Sequence, residues 1–437
     1  MSLGIRAIAF LALAALALPR AHAIAATDGA RTLTREHDPV VVPWRKLGGL
    51  PVRDTTHLRL YRVAAGRLEP IRFQFDPRDR HGDLVVDAAG DLELKDDDEL
   101  VFMARDAGER ARTDLFGGSD AALEIELADP RDQGRAWAYL LAYREPQPPL
   151  DLAPYVSFDL ASRQAESDFY RVAYAPKRNF FTGIEVLGAA GGNAANLLHQ
   201  TRMHGSPTFS LLLADLTLDF TEQSSVVEID GVRQGPVRAV RRVRLSVDLG
   251  PLFPDLPSGI AYTYHYRSSY WTPTRVKFPW IMLETLRDFR FESVFDFKAE
   301  ALPLRYFDAW HPEGVVLSDR TPVELRTTED HEWWAHGGAT GTLLHAFVIP
   351  EKWRQWGIVR GTVVRSARES GGEGAESDEP RFAAGYTLLH MTQLKEAGSY
   401  DLMMASVVLP KGYAPGAESG PMAMLQSPLA VEVRRVR

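Results

Sequence analysis

The stretch Asp330-His331-Glu332-Trp333-Trp334-Ala335-His336-Gly337-Gly338 is the densest cluster of ionisable and aromatic side chains in the chain. Its histidines are five positions apart, whereas a helical zinc motif needs four so that both imidazoles share a face, and the glycines that follow discourage a helix. A zincin is therefore not expected. A loop could still gather His331, Glu332 and His336 around a metal, or present one histidine as a general base, with a structural loop as the default. A second set lies at Tyr264, His265 and Arg267, near Arg241 and Arg287. A polyuronate lyase needs cations to neutralise a carboxylate and a Tyr or His to move the α-proton, and these are the required types. A hydrolase needs a pair of carboxylates instead, for which Glu284, Asp288 and Glu332 are available. Trp333, Trp334 and His336 join Arg241 and Arg287 as candidate ligand contacts. Arg241 and Arg287 have a plainer reading as inward charges that neutralise acidic partners within a sheet.

These residues sit in a region dominated by period-2 alternation, from Phe209 to Lys298. Ala214, Leu216, Leu218 and Phe220 alternate with Asp215, Thr217 and Asp219, the pattern of a half-buried strand. Val226 to Ile229 leads into Asp230-Gly231, read as a turn, and Val237, Ala239, Val243, Leu245 and Val247 form the returning arm with Arg241 in their register. Ile260 to Trp271 reads as a strand with Tyr262, Tyr264, Tyr266 and Tyr270 on one face. Ile281 to Phe297 reads as one long strand, or two joined by a bend, that points Arg287 inward. Tryptophan and histidine concentrate in the same half: seven of nine tryptophans fall from Trp271 to Trp356, and seven of twelve histidines from His199 to His345. Such clustering suits a glycan groove, in which flat rings stack on sugar C–H faces; the alternative is that large aromatics fill the core.

Upstream, strands are expected at Val40–Trp44, His57–Val63, Leu68–Phe75, Glu99–Ala104, Ala122–Leu127 and Trp137–Tyr143, a small sandwich. Between them lies Asp87-Ala-Ala-Gly90-Asp91-Leu-Glu93-Leu-Lys-Asp96-Asp97-Asp98-Glu99. Alternating carboxylates around a glycine wrap calcium in hard oxygen ligands, which makes Asp87, Asp91, Glu93 and Asp98 the candidate ligands; Ala89 occupies one ligand position, and a solvated acidic turn is the alternative. The phrase from Gly90-Asp91 to Phe102, preceded by Pro70-Ile71-Arg72-Phe73-Gln74-Phe75-Asp76, resembles the start of an uncharacterised family of secreted bacterial β-sandwich proteins. In that family a DGDG segment runs into DELVF, and members often occur in polysaccharide-utilisation settings. The resemblance spans about 40 residues and implies an exported β-sandwich with a glycan connection. It transfers no catalytic residue, and the DGDG itself is missing.

Arg6, the apolar run Ala7–Leu18, Pro19 and the small-x-small site Ala21-His22-Ala23 read as a cleaved signal peptide. The run is short for a membrane span, and no later segment is long and apolar enough to be one. The protein is expected in the periplasm or outside the cell. With no cysteine, disulfides, thiolate metal sites and cysteine nucleophiles are excluded together. A net charge of -8 argues against nucleic acid as a partner, which would call for a basic face. GAAGG at 188–192 lacks the lysine and context of a phosphate loop, and there is no GxSxG elbow.

The expected architecture is all-β. It consists of a signal peptide (1–23), an N-terminal β-sandwich (27–146), a large antiparallel β-sandwich (150–356) and C-terminal strands (357–437) with a loop at 366–380 that is too small and acidic to order. Whether those last strands complete the large sandwich or form a terminal domain is open. The expected function is noncatalytic binding of a polysaccharide or another exported protein, without a certain cofactor apart from the calcium reading. The alternative is a polysaccharide lyase or glycoside hydrolase on a mutarotase-like sandwich.

Overall fold

The computed structural model describes residues 29–87, 93–176, 180–210, 214–247, 258–320, 322–366 and 382–437. Strands of the described residues pair antiparallel into five sheets of three to nine strands, so the protein is all-β. The leader, Asp91 and most of the 366–380 loop lie outside these residues.

Two sheets form the N-terminal unit. Pro39–Pro43, Glu99–Met103 and Gln74–Asp76 make the small one, and Leu58–Ala64, Arg67–Pro70, Ala121–Ala128 and Arg135–Ala142 supply most of its partner. Val42, Leu60, Phe102, Leu123 and Leu140 close the core between them. The expected Leu68–Phe75 strand divides, and its halves join different sheets. The fifth strand of the larger sheet is Ala430–Arg435, which pairs with Ala121–Ala128 at the end of the chain. The C-terminal region is thus no separate domain: Val359–Ser366, Phe382–Leu389 and Gly398–Val408 are built into the central sandwich.

That sandwich has a nine-stranded sheet, here the large sheet, and a seven-stranded facing sheet. Ser225–Gln234, Ala239–Val247, Ser258–His265, Ser269–Phe278, Gly398–Val408, Gly341–Val348 and Trp333–Gly338 run side by side in the first. Leu198–Ser210, Leu286–Phe297 and Phe382–Leu389 form the middle of the second. A four-stranded meander from Val156 to Val186 packs into the same core through Phe158, Tyr170 and Tyr174.

Local sequence misleads at four places. Asp230-Gly231 is no turn: the strand runs on to Gln234 with its register shifted at Gly231, and the chain reverses at Gly235–Arg238. A Cβ on Gly231 would stand 2.8 Å from Val86 of the N-terminal unit, so close approach rather than turning requires the glycine. Ile260–Trp271 is a hairpin closed by Tyr266 N–H donating to Ser269 O at 2.8 Å, which sends Tyr270 to the opposite face from Tyr262 and Tyr264. Residues Trp280–Thr285 are helical, and the register shift beside Leu286 leaves Arg287 exposed rather than inward. The expected Ala214–Phe220 strand is reduced to Asp215–Thr217 and Phe220–Thr221, short edge pieces beside Leu198–Ser210.

The N-terminal unit docks on the outer face of the large sheet, where Leu84, Val86 and Met103 meet Val237, Val240, Tyr264 and Tyr266. A buried ionic network joins them. Asp76, fully enclosed, accepts from Arg238 Nε at 2.7 Å and Arg233 Nε at 3.0 Å, while Arg238 Nη1 donates to the Tyr266 hydroxyl at 2.8 Å. Gln74 Oε1 accepts the backbone N–H groups of Val237 and Arg238, fixing that hairpin end to the small sheet.

Candidate functional site: the cleft between the sheets

Cross-strand partners share a face, so the register of the large sheet specifies which residues look inward. Ala239, His265, Tyr270, Ser406 and His345 form one row across it. Arg241 stands opposite Thr263 in the next row, and Thr272 opposite Met404, with Thr274 and Leu402 one step farther. From the facing sheet Phe291, Ser293, Phe295 and Tyr386 point back at them. The two faces do not close: a cavity of about 270 Å³ remains between them. Met203, Phe181, Phe291, Leu402 and Met404 line it while only partly buried, although they face the middle of the sandwich.

The closed end of this cleft is polar, and His265 there has a partner on each ring nitrogen. Tyr170 donates to Tyr266 O at 2.9 Å, so it must accept from His265 Nδ1, 3.2 Å away. His265 Nε2 is thereby left as the acceptor for the Tyr174 hydroxyl at 2.7 Å, which assigns the tautomer. Burial, with the nearby Arg241 charge adding to it, holds the His265 pKa down to about 3. The Arg241 guanidinium lies over the Tyr174 ring at 4.4 Å, and burial pushes Tyr174 up to about 12 even though Arg241 and Thr263 oppose it. Farther along, His345 Nδ1 meets Ser406 Oγ at 2.8 Å and its Nε2 meets His336 Nδ1 at 3.2 Å. Burial keeps both imidazoles neutral, His336 near a pKa of about 3.

The expected chemical residues therefore scatter. Tyr264 points away from His265, to the outer face, where Arg238 lies over its ring at 4.6 Å. Arg267 binds Asp168 at the hairpin tip, Nε to Oδ2 at 3.0 Å. His331 and His336 do not meet: His331 Nε2 lies 3.4 Å from Asp308 Oδ2, and its Nδ1 lies 3.0 Å from Glu329 O. Glu332 accepts from Gln426 at 2.7 Å and lies 3.4 Å from Arg360, which also grips Asp330. Asp288 pairs with Arg290, and Glu284 is exposed, so the three carboxylates considered for hydrolysis share no partner. Trp334 and Trp353 are core residues, Trp333 packs beside Tyr413, and Trp280 and Trp310 are the exposed tryptophans, at 66% and 59%. In the acidic segment Asp98 accepts backbone N–H groups from Arg78 and Lys95, while Asp87 and Glu93 are exposed. Among the described residues no three His, Asp or Glu side chains gather as an ion site.

One convergence was missed in the sequence, that of Tyr174 and Tyr170 on His265 beside Arg241. The alternation Tyr170-Arg-Val-Ala-Tyr174 was its available signal, since it puts both phenols on one strand face.

No protein-family model matches the sequence, and no curated protein matches it. Among solved structures, an α-mannosidase from Enterococcus faecalis V583 is similar in fold, with a TM-score of 0.50 at 8% identity over 93% of this chain. A glycosyl hydrolase family 38 protein from Enterococcus faecalis follows with a TM-score of 0.48 at 8% identity over 93% of the chain. The chain spans 45% and 47% of those two structures.

Proposed function

We propose that the protein is a noncatalytic binding protein whose ligand enters the cleft between the large and facing sheets. One observation carries this reading: the open space inside the sandwich is lined by apolar side chains, whereas the ionisable groups suited to catalysis are bonded to internal partners. A ligand for such a site presents apolar surface, which the C–H face of a sugar ring does as well as a hydrocarbon. Export to the periplasm or exterior, from the leader-like Ala7–Leu18 run, belongs to the same proposal and is tested by cell fractionation.

The experiment is a thermal-shift screen of the mature protein against polysaccharides and neutral amphiphiles, with product analysis of every hit. The α-mannosidase of similar fold makes carbohydrates the first panel. A rise in melting temperature without products supports binding, since a ligand that prefers the native state stabilises it by mass action. Calcium at Asp87, Glu93 and Asp98 is tested alongside by adding the ion and then EDTA; a reversible rise of several degrees is the outcome that would establish it.

A second reading, a polysaccharide lyase, is favoured by the convergence of Arg241, Tyr174 and His265, because Tyr174 also lines the cleft. It requires unsaturated sugar products that vanish in both Tyr174→Phe and His265→Gln.

A further inference from the structure

The space between the sheets has a shape as well as an apolar lining. Along Ser269–Phe278 every second side chain faces it. Tyr270 and Phe278 close this row at 2% and 4% exposure, whereas Thr272, Thr274 and Val276 between them are only partly buried. Met404 and Leu402, opposite Thr272 and Thr274 on the next strand, and Phe291 and Ser293 across the gap are partly buried as well. Thr272 to Val276 covers about 13 Å of strand, so a volume of about 270 Å³ leaves a cross-section of about 20 Å². That is the thickness of one hydrocarbon chain.

Most polar atoms of the walls bond within the protein. Tyr174 donates to His265, Tyr386 donates to His345 O at 2.9 Å, and Ser406 meets both His345 Nδ1 and the Tyr270 hydroxyl. The Tyr270 hydroxyl and Trp353 Nε1 are themselves enclosed by protein. Thr272, Thr274 and Ser293 add hydroxyls, but too few for a sugar, which carries one on almost every carbon and would leave most of its hydrogen bonds unmade. At the rim, Arg202 Nε is bound to Asp296 at 3.1 Å and Glu222 Oε2 accepts the Met203 N–H at 3.1 Å. These two charges are opposite in sign and both engaged, so the rim does not select the charge of what lies beside it.

We infer that the cleft is a channel for one straight alkyl chain, the tail of a single-chain amphiphile whose head stays at the rim. This rests on the binding role proposed above and names its ligand class. Length follows from volume: a cavity of about 150 Å³ holds one benzene, and about 270 Å³ therefore holds about ten carbons. Met203, Phe291, Leu402 and Met404 supply the apolar contact.

The test is isothermal titration calorimetry of the mature full-length protein with alkyl maltosides from hexyl to tetradecyl, below their micellar concentrations. The dissociation constant is expected to fall about fourfold with each added methylene up to decyl, then to level off, because further carbons stay in water. Decanoate and decyltrimethylammonium are expected to bind within about fivefold of decyl maltoside, the most that an exposed ion pair supplies. Met404→Trp and Thr272→Phe fill the channel from separate strands and are expected to abolish decyl maltoside binding without lowering the melting temperature. Affinity that ignores chain length, affinity that climbs unbroken to tetradecyl, or unchanged binding in both filled variants would overturn the inference. Maltohexaose binding as tightly as decyl maltoside, and lost in the filled variants, would overturn it and leave the binding reading standing. No binding of any of these compounds would overturn both.

Discussion

Tyr174 donates its phenolic proton to Nε2 of His265 across 2.7 Å, inside the sandwich and beneath the Arg241 guanidinium. The bond ties the four-stranded meander to the large sheet through a neutral imidazole. Its value is structural as much as chemical, since both partners are enclosed. Tyr174→Phe should leave the His265 acceptor unpaired and cost about 1–3 kcal/mol, read as a lower midpoint in urea unfolding at neutral pH.

Acid should weaken the fold through the same histidine and its neighbours. His265, His336 and His345 all have native pKa values below the ordinary imidazole range, because burial disfavours their charged forms. Below about pH 6.5 the unfolded chain takes up protons that the native chain refuses. Stability is therefore expected to fall as pH drops from about 6.5 towards 4, by up to about 1.4 kcal/mol per pH unit for each histidine. Urea midpoints across that range check it, and a flat profile would show that these imidazoles are not held neutral.

His331 should behave in the opposite sense. Although burial opposes protonation, the carboxylate of Asp308 raises its pKa, and Asp308 is itself held well below the usual carboxylate range by bonds from His331, Tyr306 and His311 despite its burial. The His331 contribution is present in full below about pH 6.5 and is lost as pH rises through the elevated native value, while that of Asp308 is lost as pH falls below about 4. An NMR titration is expected to show His331 protonating above 6.5 in the native protein. Asp308→Asn should bring that midpoint down.

Alternation within single strands was readable from the sequence, and what depends on contacts between strands was not. The inward position of Arg241 follows from period-2 counting and is what the structure shows. Arg287 fails the same counting because a register shift beside it turns the side chain out, whereas Phe289, Phe291 and Phe295 beyond the shift keep the face that counting gives them. Tyr270 was assigned to the wrong face because the hairpin at Tyr266–Ser269 carries no glycine, proline or asparagine to announce it. The Tyr174–His265 pairing joins residues 91 positions apart, a separation over which periodicity is silent. Likewise the tryptophans looked like one cluster in sequence, but adjacent Trp333 and Trp334 necessarily face opposite sides of their strand.

Docking of the N-terminal unit depends on Asp76. It is fully enclosed and faces two guanidinium groups, and its pKa is depressed because Arg238 and Arg233, with Gln74, outweigh the burial that opposes them. Asp76→Ala would leave Arg238 charged, enclosed and short of its main partner, a loss of about 3–5 kcal/mol. Differential scanning calorimetry is expected to show a lower transition, and a separate early transition would mark the N-terminal unit coming loose. An unchanged trace would mean that Glu99, 3.2 Å from Arg238, suffices.

The last strand gives the N-terminal sheet a test of its own. Ala430–Arg435 is an edge strand whose Val431 and Val433 pack on the small sandwich, and its Arg434 bonds to Glu124, a carboxylate only 3% exposed. Removing residues 429–437 takes the Arg434 bond from that carboxylate, leaving it Arg110 at 3.8 Å and the Tyr139 hydroxyl at 3.2 Å, and opens the Ala121–Ala128 strand to solvent along one edge. The pairing joins the far end of the chain to a unit made almost entirely of its first third, so the loss should register there first. Hydrogen exchange is expected to quicken in Ala121–Ala128 and Arg135–Ala142 while Ser269–Phe278, at the centre of the large sheet, stays protected. Restoring the strand as a separate peptide spanning 429–437 should slow that exchange again, and failure to do so would mean that Ala121–Ala128 does not depend on this edge.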